Sequence, residues 1–141
     1  MNIPSKLEPD KDVIELLRRH DIHPTSQRVI IARVLFTHCT HLSAEDVFRL
    51  VNTESRRVSK ATVYNTLGLF ADKGVVRAVI ADPDRIFYDP NTDPHHHFFD
   101  VATGELTDIS ADQIHVTGLP PLPVGAKLEG VDVIVRLRPA K

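Results

Sequence analysis

A change of apolar period at Gly74 constrains this chain more than any other feature. Before it, apolar residues recur at helical spacing; after it, they fall in short runs rich in valine and isoleucine. Val13, Leu16 and Leu17 mark a first helix over 11–20. Asp21 to Pro24 breaks it, and Pro24 with Thr25 or Ser26 as a cap opens a second. Ile30, Ile31, Val34 and Leu35 form the apolar stripe of that second helix, which fades at Thr37 to His41. Ser43 opens a third helix: its hydroxyl can cap the free amide of Asp46, and Glu45 and Asp46 suit the positive helix end. Val47, Leu50 and Val51 form its buried face. Ser59 opens a fourth, with Val63, Leu67 and Phe70 inward and Gly74 as the stop.

After Gly74, Val75–Ala81 and Ile86–Tyr88 read as two strands around a turn at Asp82-Pro83-Asp84. Helices followed by a short hairpin is the winged-helix order. Farther on, His95–Val101 and Glu105–Ile109 read as a hairpin joined through Thr103-Gly104, and Asp112–His115 as the start of a short helix or strand. Pro120, Pro121 and Pro123 make Leu119–Gly125 a loop, and Val131–Leu137 reads as a strand of a small sheet. Pro90, Asn91 and Pro94 mark a linker. The expected fold class is α+β: a winged helix-turn-helix domain over 1–88, a hinge over 89–94, and a small α/β domain over 95–141.

Charge divides along the same line. Residues 1–80 carry net +3 and residues 81–141 net −5, so the front half suits phosphates and the back half a cation. No run of about 18 apolar residues predicts a membrane span. Met1 to Asp12 lacks the apolar core of a signal peptide, so a cytoplasmic location is the expectation. The single cysteine, Cys39, cannot close an internal disulfide and excludes a four-cysteine structural zinc site within the chain; a lone cysteine is ordinarily a half-buried structural thiol.

Asn52 to Val58 fits a helix-turn-helix connection, making the fourth helix the reading helix. Outside its apolar stripe lie Lys60, Thr62, Tyr64, Asn65 and Thr66. Lys60 can meet a phosphate, Thr62 and Tyr64 thymine methyls, and Asn65 an adenine edge. Arg56 and Arg57 precede the helix, and Arg28 and Arg33 can add phosphate contacts from the second helix. The bland alternative is an ordinary solvated face. So little positive charge binds DNA weakly in a monomer, so this reading calls for a dimer on two half-sites.

Eight histidines include the triplet His95-His96-His97. On a strand, His95 and His97 share one face and His96 takes the other. Asp89 lies six residues before His95, close enough to fold back. Asp108 lies across the expected hairpin, and His41 precedes the third helix. Imidazole with carboxylate suits Fe2+, Mn2+ or Zn2+ rather than Cu+. Such a cation, held from both domains, would favour one domain arrangement by differential affinity. His20, His23 and His38 read as surface residues. His96 with His115, and with Asp132, is a candidate second metal site or haem ligand; the alternative is a hydrogen-bonded sheet histidine.

His23-Pro-Thr-Ser-Gln-Arg28, His41-Leu-Ser-Ala-Glu-Asp46, Ala61-Thr-Val-Tyr-Asn-Thr-Leu67 and His95-His-His97 with Gly104-Glu-Leu-Thr-Asp108 together resemble the ferric uptake regulator (Fur) family of bacterial metal-sensing repressors. The resemblance implies that Tyr64 contacts bases and that His41, Asp89, His95, His97 and Asp108 hold one divalent metal per subunit. It implies a homodimer, with Val131–Leu137 at its interface, on an AT-rich palindromic operator in double-stranded DNA. His95-His-His-Phe-Phe99 and Val131-Asp-Val-Ile-Val-Arg-Leu-Arg138 are similar to the iron response regulator branch, which implies a response to iron and haem and control of iron-homeostasis genes. Two departures stand out: Asp100 and Thr103 occupy the places of the first cysteine pair of most members, and no Cys-Pro haem motif is present. The peroxide-sensing branch is the alternative. It too has Asp at the position of Asp89, and iron-bound oxidant would there attack a ligand histidine such as His41. A small metallo-hydrolase on His41, Asp89, His95 and His97 is a third reading, and a metal-storage or haem-carrier protein a fourth. Against the hydrolase stand the lack of a separate general base and of a glycine-rich substrate loop; the carrier would leave Tyr64 and Asn65 idle.

Overall fold

A computed structural model describes residues 10–38, 41–54 and 58–140. Cys39, Arg56 and Arg57 lie outside the described residues. The chain divides into two compact units, Met1–Asp93 and Pro94–Lys141.

The first unit runs α1 (Lys11–Arg19), α2 (Ser26–His38), β1 (Leu42–Ser43), α3 (Ala44–Glu54), α4 (Lys60–Asp72), β2 (Arg77–Asp82) and β3 (Arg85–Asp89). Val13, Leu16 and Leu17 bury the inner face of α1. The helix ends in a Schellman motif: Asp21 takes a left-handed φ of 61°, and the amides of Ile22 and Asp21 donate to the carbonyls of Leu17 and Arg18. Thr25 caps α2, its Oγ1 accepting the Arg28 amide at 3.3 Å. The single stripe expected for α2 needs correction. Val29, Ile31, Ala32, Val34, Leu35 and Phe36 are all buried and Ile30 only half so, because α2 packs against α1, α3 and α4.

Ser43 and Asp46 form a reciprocal box at the start of α3: the Asp46 amide donates to Ser43 Oγ at 3.2 Å and the Ser43 amide to Asp46 Oδ2 at 3.0 Å. Ser59 caps α4 by accepting the Thr62 amide at 3.1 Å. Between the two helices Asn52 clamps the turn. Its Nδ2 donates to the carbonyls of Phe48 (2.8 Å) and Val58 (3.1 Å), and its Oδ1 accepts the Val58 amide (3.2 Å). Val63, Leu67 and Phe70 are fully buried.

At the end of α4, Gly74 sits at φ 81°, and the amides of Val75 and Gly74 donate to Phe70 and Ala71. That second Schellman motif corrects the strand expected from Val75. Val75 and Val76 are buried in the helix exit, and β2 begins only at Arg77. β2, β3 and β1 form an antiparallel sheet in the order β1-β3-β2. Helices plus a short sheet make a winged helix.

The second unit contains β4 (His95–Asp100), β5 (Leu106–Ser110), a 3-10 turn over Ala111–Gln113, and β6 (Ile134–Leu137), in the order β5-β4-β6. β4 pairs antiparallel with β5 and parallel with β6. The final strand is shorter than expected: 115–132 run as an exposed segment, the Val133 amide donates to the His96 ring, and β6 begins only at Ile134. Asp100 builds the β4–β5 turn: its Oδ1 accepts the amides of Ala102 (2.9 Å) and Thr103 (3.1 Å). Together the units give an α+β fold. Among the described residues no helix is long and apolar enough to cross a membrane.

Candidate metal centre and reading face

The two-residue strand β1 is the element that sequence reasoning missed. It pairs Leu42 with Tyr88 and Ser43 with Phe87, so the next antiparallel step sets His41 beside Asp89. His41 Nε2 lies 3.2 Å from Asp89 Oδ2. Asp89 is 3% exposed, so its carboxyl is held out of water beside an imidazole.

The second unit supplies three ligand-type side chains. Alternation along β4 buries His95 and His97 on one face with Phe99 and leaves His96, Phe98 and Asp100 on the other. The register sets His97 opposite Asp108. Asp108 Oδ1 stands 3.4 Å from Nε2 of both His95 and His97, and the two imidazole centroids are 4.5 Å apart. One ligand atom from each of His95, His97 and Asp108 lies within 4.8 Å of the others. Of the five expected ligands, two therefore stand together in the first unit and three in the second. Buried imidazoles with carboxylate and no thiol match the donor preference of a divalent first-row ion, so the residues present fit such a group.

His96 turns to the other face, where its Nδ1 accepts the Val133 amide at 3.1 Å. His115 is exposed beyond the 3-10 turn. Among the described residues, neither they nor Asp132 join a group of three or more converging ligands.

On α4, Lys60, Tyr64 and Asn65 are exposed. Thr62 is half-buried, and its Oγ1 accepts the Ser59 hydroxyl at 2.9 Å. Arg28 donates to the His23 carbonyl at 2.9 Å, and Arg33 pairs with Asp10 at 2.9 Å, so both guanidinium groups have local partners. Glu45, read in sequence only as a helix-start acid, touches the exposed side of α4. Its Oε1 accepts Lys60 Nζ at 2.8 Å and the Tyr64 hydroxyl at 3.2 Å. The Lys60 hydrogen bond holds the Glu45 carboxyl below its ordinary range, and Glu45 in turn raises Lys60.

Residues 19–122 match the family model for the ferric uptake regulator family. The chain is 30% identical over 105 residues to the peroxide-responsive repressor PerR of Staphylococcus aureus strain Mu50, covering 74% of this chain and 71% of that protein. Among solved structures it is similar to the ferric uptake regulator of Pseudomonas aeruginosa with manganese (TM-score 0.69, 24% identity, 90% of this chain and 97% of that one). It is also similar to the Vibrio cholerae ferric uptake regulator, whose structure is described as revealing rearrangement of its DNA-binding domains (TM-score 0.69, 19% identity, 90% and 99%). A family match over most of the chain, carried on a winged helix with histidine and carboxylate clusters, leads to one conclusion: the chain belongs to the ferric uptake regulator family of metal-responsive, DNA-binding transcription regulators, which are not enzymes.

Proposed function

We propose that this chain represses iron-homeostasis genes as a homodimer when one divalent cation, Fe2+ or Mn2+, is shared by His41, Asp89, His95, His97 and Asp108. The observation that carries this reading is the pair of half-sites. Each joins imidazole to carboxylate, and each belongs to a different unit. Asp89 and His95 are only six residues apart, so the chain itself keeps their Cα atoms within about 20 Å of each other. When bound, the cation would supply a bridge of charge between the two half-sites. The residues do the rest: β1 presents His41, the end of β3 presents Asp89, and β4 with β5 presents the other three. Domain rearrangement in the Vibrio cholerae protein and manganese in the Pseudomonas aeruginosa one support this reading. Zn2+ would occupy the same ligands in vitro, since it outcompetes Mn2+ and Fe2+ for nitrogen and oxygen donors.

Thr62, Tyr64 and Asn65 read the operator, an AT-rich palindrome matched to a two-fold dimer. Lys60, Arg28, Arg56 and Arg57 support the phosphate contacts. The dimer forms through the second unit, where β6 is a sheet edge and Leu119, Leu122, Val124, Leu128 and Leu137 are exposed in the single chain. A mobility shift with duplexes selected from a randomised pool, with Mn2+ or with chelator, tests the reading. Tyr64→Ala loses the shift and keeps the metal; His97→Ala loses both. Binding by His97→Ala at wild-type strength with no metal dependence refutes it.

One observation favours a second reading, peroxide sensing: the likeness to the Staphylococcus aureus peroxide-responsive repressor. Asp89 agrees with that branch. On this reading, peroxide treatment of the Fe2+-loaded protein abolishes the shift, and mass spectrometry finds an added oxygen on His41 or another ligand histidine; on the iron-sensing reading the ligands stay unmodified. Absorbance titration with haem, repeated on a variant altered at His95, His96 and His97, decides whether haem is also a signal.

A further inference from the structure

The Glu45 carboxylate occupies the DNA-facing side of the reading helix, and the fold does not need it there. The helix start it belongs to is already closed by the Ser43–Asp46 box. Glu45, Lys60 and Tyr64 are all well exposed, the side chains of Glu45 and Lys60 at 58% and 56%. An exposed ion pair contributes little to stability. Yet one oxygen, Oε1, receives both Lys60 Nζ and the Tyr64 hydroxyl, which stand one helical turn apart. Lys60 Nζ also lies 5.7 Å from the centre of the Phe48 ring. Glu45 and Tyr64 together line an open cleft of about 410 Å³, which Pro83 and Asp84 of the β2–β3 turn and Arg85 and Ile86 of β3 also line.

Resting on the DNA-binding reading above, we infer that Glu45 is a specificity-determining residue, an internal stand-in for phosphate that holds Lys60 and presets Tyr64 until a matched sequence is met. The chemistry follows from what each partner loses. A phosphate approaching Lys60 must displace a carboxylate already bonded to it and come close to that carboxylate's own charge. Sequence-independent binding is almost wholly phosphate contact, so it bears this penalty in full. A matched site recovers the loss through base-edge contacts from Tyr64, whose hydroxyl proton is already committed to Glu45 and whose ring is held in one direction. The carboxylate thus lowers binding to all DNA and lowers it most where base contacts are poor. Glu45 is ionised at neutral pH, as an exposed glutamate ordinarily is, and the Lys60 hydrogen bond lowers its carboxyl further.

Glu45→Gln keeps an oxygen acceptor and removes the charge. Its fold is checked by a thermal melt. The test measures Mn2+-loaded full-length protein on two fluorescent duplexes, one of mixed sequence and one selected from a random pool by the wild type. Glu45→Gln is expected to bind the mixed duplex about 5–10-fold tighter at 0.1 M salt and the selected duplex within about threefold of wild type. The salt slope on the mixed duplex is expected to steepen by about 0.9, one further phosphate neutralised by the released Lys60. In a Lys60→Met background the same substitution leaves the slope unchanged. An unaltered slope and an unaltered ratio between the two duplexes overturn the inference and leave the DNA-binding reading standing. A wild type that binds neither duplex, with or without Mn2+, overturns both.

Discussion

Asn52→Ala removes a side chain that ties the end of α3 to the residue before the start of α4. Three hydrogen bonds go with it, at 2.8, 3.1 and 3.2 Å, to the backbone of Phe48 and Val58. Val58 is 3% exposed, so its amide and carbonyl lose these partners where water reaches them poorly. Each net bond contributes about 0.5–1.5 kcal/mol, and a buried peptide group left unmet costs about 1–3 kcal/mol. Asn52 itself is half-buried, and solvent recovers part of the loss, which sets the expected cost at about 2–3 kcal/mol. For a chain of this length that lowers Tm by roughly 8–12 °C. Circular dichroism melts in chelator, where no metal masks the loss, measure it. Asn52→Asp is expected to be as damaging, because it sets a carboxylate against two carbonyls. Thr53→Ala next door loses only an exposed hydroxyl bond to the Arg49 carbonyl and stays within about 0.5 kcal/mol of wild type. An Asn52→Ala protein melting within about 2 °C of wild type refutes the argument that this clamp holds the turn.

Other perturbations have equally definite outcomes. Mn2+ at a hundred times its Kd stabilises the wild type by about 2.7 kcal/mol; His97→Ala abolishes that gain in Tm, and an intact gain excludes His97 as a ligand. Gly74→Ala meets no steric obstacle, yet forces alanine to a φ of 81° and costs about 1–2 kcal/mol, a fall of a few degrees in Tm, whereas a rise would show that the left-handed exit of α4 is not required. Carbon-13 titration of Glu45 gives a midpoint below the ordinary glutamate range, returned to that range in Lys60→Met. Because the folded-state value is the lowered one, the pair's small contribution is present above the ordinary carboxyl range and fades as pH falls through the lowered value.

Local chemistry was legible in the sequence where a residue acts on its immediate neighbours. Ser43 and Ser59 cap the helices that they were expected to open, and Gly74 ends α4. The alternation of β4 and its register with β5 set His95 and His97 together opposite Asp108, because both depend on a period of two and a short turn. Longer-range features were not legible. β1 has only two residues and therefore no period of its own; it exists because the β3 edge at Phe87 and Tyr88 accepts it, and only then does His41 meet Asp89. Val75 looks like a strand residue by composition, yet it is drawn onto Phe70 by the Schellman turn. Glu45 carries no sequence signal for its role, since its partners lie on the next helix.

The division of the proposed ligands between the units sets an upper limit on what a cation could do as a signal. His95, His97 and Asp108 belong to one three-stranded sheet and would be offered alike in any arrangement of the units. Bonds to them raise affinity without favouring one arrangement, and a ligand with equal affinity for two states shifts nothing. Only His41 and Asp89 can differ between arrangements, so the whole bias must come from those two. Moving a population from 1:99 to 99:1 takes about a 10⁴-fold difference in affinity. The ratio of Mn2+ affinities between the wild type and a His41→Ala, Asp89→Ala double variant therefore bounds the strength of the switch. A ratio of a few fold would leave a metal-binding protein whose units cannot be oriented by its metal. A ratio of thousands would make the short strand β1, which holds His41 against the end of β3, the part of the fold on which signalling turns.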